Sequence, residues 1–204
     1  MRKPEQEIAD IKSMMEQSTR FLSLSGLAGI LAGAYSLAAA ALAYFWIYYP
    51  EVPFGNQMNG IQEEHTINKL VSMALVVLFL AVGTAWFLSR KKSERNAHKF
   101  WTPAGKRFVQ ALFIPVLTGL VSCLALILNG FTVFVAPATL IFYGLGLLNA
   151  SHFTLSDIKY LGFCQLVLGL IAAFFPGYGL LLWTLGFGLF HIIYGTLMYL
   201  KYDR

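Results

Sequence analysis

Two polar side chains stand out inside long apolar stretches, Gln165 and His191. Each sits between two glycines at the same helical spacing, Gly162–Gln165–Gly169 and Gly188–His191–Gly195, with Thr184 two turns before His191. Residues three and four apart share a helix face, so each helix would present one polar group between two points of close backbone approach. An amide and an imidazole can exchange a hydrogen bond, hold a small polar ligand or pass a proton. Two readings follow: a structural pair that satisfies itself, or a polar patch lining a cavity for a small ligand or proton. Tyr143, Asn149, Ser151, His152 and Gln110 would add polarity in the same half of the bundle and form a water-filled vestibule around Gln165 and His191. No carboxylate lies in these apolar runs to pair with an imidazolium, so His191 is expected to be mostly neutral at pH 7.

Other chemistry finds little support. His65, His98 and His152 fall outside the apolar runs, and a lone histidine is a poor ligand set for a metal or haem. Ser23, Ser25, Ser122 and Cys123 have no evident base and acid beside them in sequence. Cys123 and Cys164 both lie in apolar runs and read as packing residues rather than a disulfide or zinc framework. The chain therefore reads as a non-enzyme without catalytic residues, metal or cofactor.

The elements that must position Gln165 and His191 are membrane helices. Of 204 residues, 57% are hydrophobic and only 12% charged, and mean hydropathy is +0.63. A soluble domain carries roughly a quarter charged residues. A span needs about 20 apolar residues, and six such runs are present, at about 21–49, 70–88, 108–128, 132–148, 160–175 and 180–200. The expected fold is all-α: a six-helix transmembrane domain over residues 21–200, arranged as three hairpins. Residues 1–20 precede it as a cytoplasmic amphipathic helix, with Ile8, Ile11, Met14 and Met15 on one face, and residues 201–204 form a tail. The turns are tight at Asn129-Gly130 and at Pro176-Gly177-Tyr178-Gly179, whereas the 50–68 connection is long and polar. Tyr44, Phe45, Trp46, Tyr48 and Tyr49 form an interfacial aromatic belt.

Charge orients the bundle. Every Lys and Arg except Lys69 falls on the side of the two termini, so both termini are expected in the cytoplasm, in a bacterial inner membrane. The net charge of +5 then serves anionic lipid and not nucleic acid. The spans as drawn contain no Asp, Glu, Lys or Arg, which argues against an ion-coupled transporter or voltage sensor.

Small residues make a second pattern. Gly26, Gly29, Gly33, Ser36 and Ala40 line one face of the first span, and Gly29 to Gly33 is a GxxxG. Such a stripe lets helix backbones approach closely, either within the chain or in a dimer. Gly162, Gly169, Gly188 and Gly195 are packing candidates of the same kind.

The stretch 161–202, LGFCQLVLGLIAAFFPGYGLLLWTLGFGLFHIIYGTLMYLKY, has a Gly-bearing helix, a Phe-Phe-Pro-Gly turn and a second Gly-bearing helix with a basic end. It resembles a hairpin of the HdeD-like membrane proteins. That resemblance implies a six-span bacterial protein of three such hairpins with a link to acid stress, and it transfers no functional residue. Spans 1 and 2 depart from the pattern through their long polar loop. The whole chain is also similar to six-span bacterial membrane proteins that have no assigned activity. Taken together, the sequence predicts a multi-pass, non-enzymatic protein with a lipid or partner-protein role. Its partners are membrane lipids and a second copy or another membrane protein. The alternative is a small-molecule transporter or channel with a polar cavity in the cytoplasmic half.

Overall fold

The computed structural model describes residues 21, 23–49, 64–95 and 101–203. The expected amphipathic helix of residues 1–20, most of the 50–68 loop and residues 96–100 of the basic segment lie outside the described residues. What is described is helical apart from turns and one isolated bridge, Phe21 with Thr154.

Six helices follow one another. α1 is Gly26–Ala43, continued by a π turn over Tyr44–Tyr48. α2 is Glu64–Arg95, α3 is Pro103–Leu128, α4 is Val135–Ala150 and α5 is Ile158–Phe174. α6 is the run Pro176–Asp203, in which α-helical Gly179–Trp183 and His191–Met198 alternate with π-helical Thr184–Phe190 and Tyr199–Asp203. Five of the helical runs are long and apolar enough to cross a membrane, and α5, at 17 residues, is apolar but shorter. Two differences from the sequence reading concern helix ends. α2 extends well past the expected 70–88, because the Glu, Lys and Arg residues flanking the apolar run are good helix formers. Lys201, Tyr202 and Asp203 continue α6 as a π turn instead of forming a tail.

Packing is inverted relative to a soluble core. The buried residues are mostly small, such as Ala28, Ala40, Ala43, Ala138, Ala150 and Ala172, whereas Phe79 is 80% exposed and Phe174 is 82% exposed. Soluble monomers rarely show such apolar surface, and lipid accepts it. α4 packs most extensively on α5 and α3, and α1 packs on α6 and α2. α6 also reaches α5 and α4 through its Gly179–Trp183 and Thr184–Phe190 segments.

Local sequence explains the joints. Thr102 caps α3 by accepting the Gly105 N–H at 3.0 Å, and Pro103 takes the first-turn position that needs no donor. Gly130 adopts φ +80°, a left-handed value that ends α3, while Phe131 N–H bonds Leu126 O at 2.8 Å. Pro115 lies inside α3 and has no N–H to give the carbonyl four residues back, that of Ala111. Asn149 Nδ2 of α4 donates to that carbonyl at 2.9 Å. A helix-breaking residue is thus converted into a link between two helices.

Candidate functional site

Gln165 and His191 meet at the carbonyl of Gly186, and Tyr143 joins them through His191. His191 Nδ1 lies 3.0 Å from Gly186 O, and Gln165 Nε2 donates to the same oxygen at 2.7 Å. Tyr143 Oη stands 3.0 Å from His191 Nε2. A carbonyl carries no proton, so Nδ1 is the protonated nitrogen, and Nε2 accepts the Tyr143 O–H. The arrangement fits a neutral imidazole. It also makes the 3.3 Å approach of Gln165 Nε2 to His191 Nδ1 a contact between two donors, not a bond. Gln165 is 0% exposed and His191 5% exposed. Phe187 stacks on His191 with centroids 5.7 Å apart and lies 5.1 Å from the Tyr143 ring.

The oxygen that Gln165 and His191 share belongs to a π turn. Gly186 lies in the π segment Thr184–Phe190, and the backbone N–H of His191 turns to Gly188 O. Two side chains thus reach a carbonyl within a π turn, a backbone irregularity frequent at functional sites. Gln165 Oε1 faces the Cα of Gly186, where a Cβ would come within 2.5 Å of it. This oxygen is buried and has no hydrogen-bond partner among the described residues. Of the four polar-cavity candidates, the structure brings Gln165, His191 and Tyr143 together. Thr184 stands apart, donating to Leu180 O in its own helix at 2.6 Å.

The glycines sit at other seams than their spacing suggests. Gly162 and Gly169 abut α4, near Gly144 O and Ile141, and not α6. Gly188 and Gly195 abut α1, near Leu37 and Gly26 O, while Gly26, Gly29 and Gly33 face α6 in return. Two glycine seams, α4–α5 and α1–α6, therefore bracket the bundle. Gln165 and His191 meet because α4, α5 and α6 converge at Gly186, not because glycines draw α5 and α6 together. The stripe on α1 is filled by a helix of the same chain.

Three residues of the expected vestibule bond within the protein. Tyr143 is engaged by His191, Asn149 by Ala111 O, and Ser151 donates to Leu148 O at 2.6 Å. A cavity of about 470 Å³ opens elsewhere, between the start of α5 and the end of α6. Its apolar wall includes Tyr160, Leu197 and Leu200, and its rim carries Asp157 and Lys201. Lys201 Nζ and Tyr202 Oη each donate to Asp157 Oδ2 at 2.8 Å. The Lys201 bond, then the Tyr202 bond, hold the Asp157 carboxyl below the usual carboxylate range.

One further cluster escaped the sequence reading. Asp203 Oδ2 accepts the Gly26 N–H at 2.8 Å and the Ser25 Oγ–H at 3.2 Å, so the last helix caps the first. Its Oδ1 pairs with Lys92 Nζ at 2.5 Å, and both side chains are only 8% exposed. Lys92 also donates to Leu24 O at 2.8 Å, and Arg95 Nη2 donates to Asp203 O at 3.1 Å. The anion sits at the positive end of α1, and the cations sit in the last turns of α2. The sequence signal was faint: one acidic residue near the end of a basic-capped helix, 177 positions from its partner.

Among the described residues, no three His, Cys, Asp or Glu come together as a metal site. Cys123 and Cys164 are free thiols, the first buried and the second exposed. Comparison with protein-family models, with curated proteins and with solved structures gave no match.

Proposed function

We propose that this chain crosses the membrane six times as three hairpins, with both termini in the cytoplasm, and that it acts without catalysis by engaging lipid at its charged end. One observation carries the reading. His191, Tyr143 and the Gln165 Nε2 deep in the bundle are bonded to one another or to backbone, while a cavity lies at the end where Asp157, Lys201, Lys92 and Asp203 gather. A transporter built on Gln165 and His191 would need those groups to face a path, and here they face Gly186 O and Tyr143. The near-absence of basic residues at the opposite end supports the orientation.

Reporter fusions in the 50–68 loop and at the C-terminus test the topology. The loop is expected outside and the terminus inside, and a cytoplasmic loop overturns the arrangement. Proteoliposomes carrying a trapped pH dye test the role. We expect proton leak equal to that of empty vesicles. A leak present in the wild type and abolished in His191→Leu would establish the transporter instead.

A further inference from the structure

We propose that the cavity between α5 and α6 is a binding site for an anionic phospholipid, with an acyl chain along its apolar wall and the phosphate at its lysine rim. The proposal rests on the membrane reading given above, which places the charged end at the bilayer surface.

Three independent features define the ligand. The first is size and lining. About 470 Å³ faced by Tyr160, Leu197 and Leu200 suits a hydrocarbon chain, and the partly open shape suits a ligand that enters from the bilayer and not from water. The second is an unused hydrogen-bonding group. Tyr194 lines the cavity, and its hydroxyl is buried without a partner among the described residues. A buried hydroxyl left unbonded costs free energy, and an acyl ester carbonyl is an acceptor that a lipid carries just below its phosphate. The third is charge. Lys201 spends one of its three donors on Asp157 and its side chain stays 59% exposed. Lys159, at the start of α5, leans over the Tyr160 ring at 5.0 Å. Lys159 does not line the cavity itself but adjoins two residues that do, Tyr160 and, two positions earlier, Asp157. Lys201 on the rim and Lys159 beside it, against one carboxylate, leave this locality net positive, which favours an anionic over a zwitterionic headgroup. Tyr160 and Tyr202 belong at this depth, since tyrosine rings settle at the level of lipid headgroups.

The test uses the full-length protein purified in mild detergent, incubated with phosphatidylglycerol or with phosphatidylcholine of the same chains, and read by native mass spectrometry. The wild type is expected to retain phosphatidylglycerol preferentially. Replacing Lys201→Gln or Lys159→Gln should lower that retention roughly fivefold each. Leu197→Trp, which fills the wall, should abolish retention of both lipids, and circular dichroism checks that it folds. Equal retention of the two lipids by the wild type overturns the headgroup assignment. Undiminished retention in folded Leu197→Trp overturns the site, and so does displacement of the lipid by millimolar inorganic phosphate, since a bare phosphate site needs no chain. If Leu197→Trp does not fold, Tyr194→Phe takes its place, with a severalfold loss expected and no loss overturning the site. Alkaline carbonate extraction of membranes separates the levels. Release of the protein overturns the membrane reading and this proposal with it, whereas resistance combined with any of the failures above overturns the lipid site alone.

Discussion

Two polar regions hold this bundle together, and they do so by opposite means. At Gly186, the groups that meet are neutral: an imidazole, an amide, a phenol and a backbone carbonyl. At the N-terminus of α1, they are charged: Asp203, Lys92 and Arg95 around the Gly26 N–H. The difference follows from depth. Deep in the bundle an ion has a prohibitive solvation cost, so neutral side chains bond to a carbonyl of the helix itself, that of Gly186. At the helix ends an ion can be paired, and the unsatisfied N–H and C=O groups of the termini welcome it. The first region joins α4, α5 and α6, and the second joins α1, α2 and α6. α6 belongs to both, and it is also the helix with the most π-helical backbone.

If this contrast is right, breaking the charged region should cost more. Asp203→Ala would leave Lys92 buried without a counter-ion and Gly26 without its cap. Removing one partner of a buried pair costs about 3–5 kcal/mol, and we expect the lower part of that range because the site lies at the end of the bundle. Thermal unfolding in detergent should show a drop of several degrees. The double variant Lys92→Met with Asp203→Leu should recover much of it, because no lone charge remains. An Asp203→Ala protein that melts with the wild type would mean that the α6 terminus does not hold α1.

The neutral region should yield less. His191→Leu keeps the volume but strands the Tyr143 hydroxyl and removes one of the two donors to Gly186 O. An unsatisfied buried hydroxyl costs about 1–3 kcal/mol. The expected melting temperature lies between those of wild type and Asp203→Ala, and adding Tyr143→Phe should restore part of the loss. A loss larger than that of Asp203→Ala would invert the comparison.

The two regions also differ in how readable they are. Gln165 and His191 are legible because a polar residue between glycines stands out in an apolar run, and Tyr143 is legible as a polar residue of the same half. The acceptor that Gln165 and His191 share is not, because no rule of spacing announces that both will reach Gly186 O. The glycines of the two seams look alike in sequence, so Gly162 and Gly188 cannot be assigned to α4 and α1 before the helices are packed. The long apolar runs of α3 and α4 and the turn at Gly130 are plain from composition and from the need for a left-handed residue. The Asp203 cluster is hidden for a different reason. Its charged members lie outside the apolar runs, where charge looks like ordinary solvation, and they meet α1 only when the last helix returns to the first.

The smallest effect should come from Gln165 itself. Its Nε2 donates to Gly186 O, but its Oε1 is buried with no partner among the described residues. Gln165→Met is close to volume-conserving, a class of change that usually costs less than about 1.5 kcal/mol. It removes one hydrogen bond, worth about 0.6 kcal/mol on average between membrane helices. It also removes an acceptor whose burial was uncompensated. Gly186 O keeps the His191 Nδ1–H, so nothing else is stranded. The two contributions oppose each other, and stability should stay within about 1 kcal/mol of wild type. Gln165→Ala should be worse than Gln165→Met, since it opens a cavity at the junction of three helices. If instead Gln165→Met unfolds as readily as His191→Leu, then the amide oxygen is satisfied in the working protein, and Gln165 is holding a ligand where the packing alone gives it none.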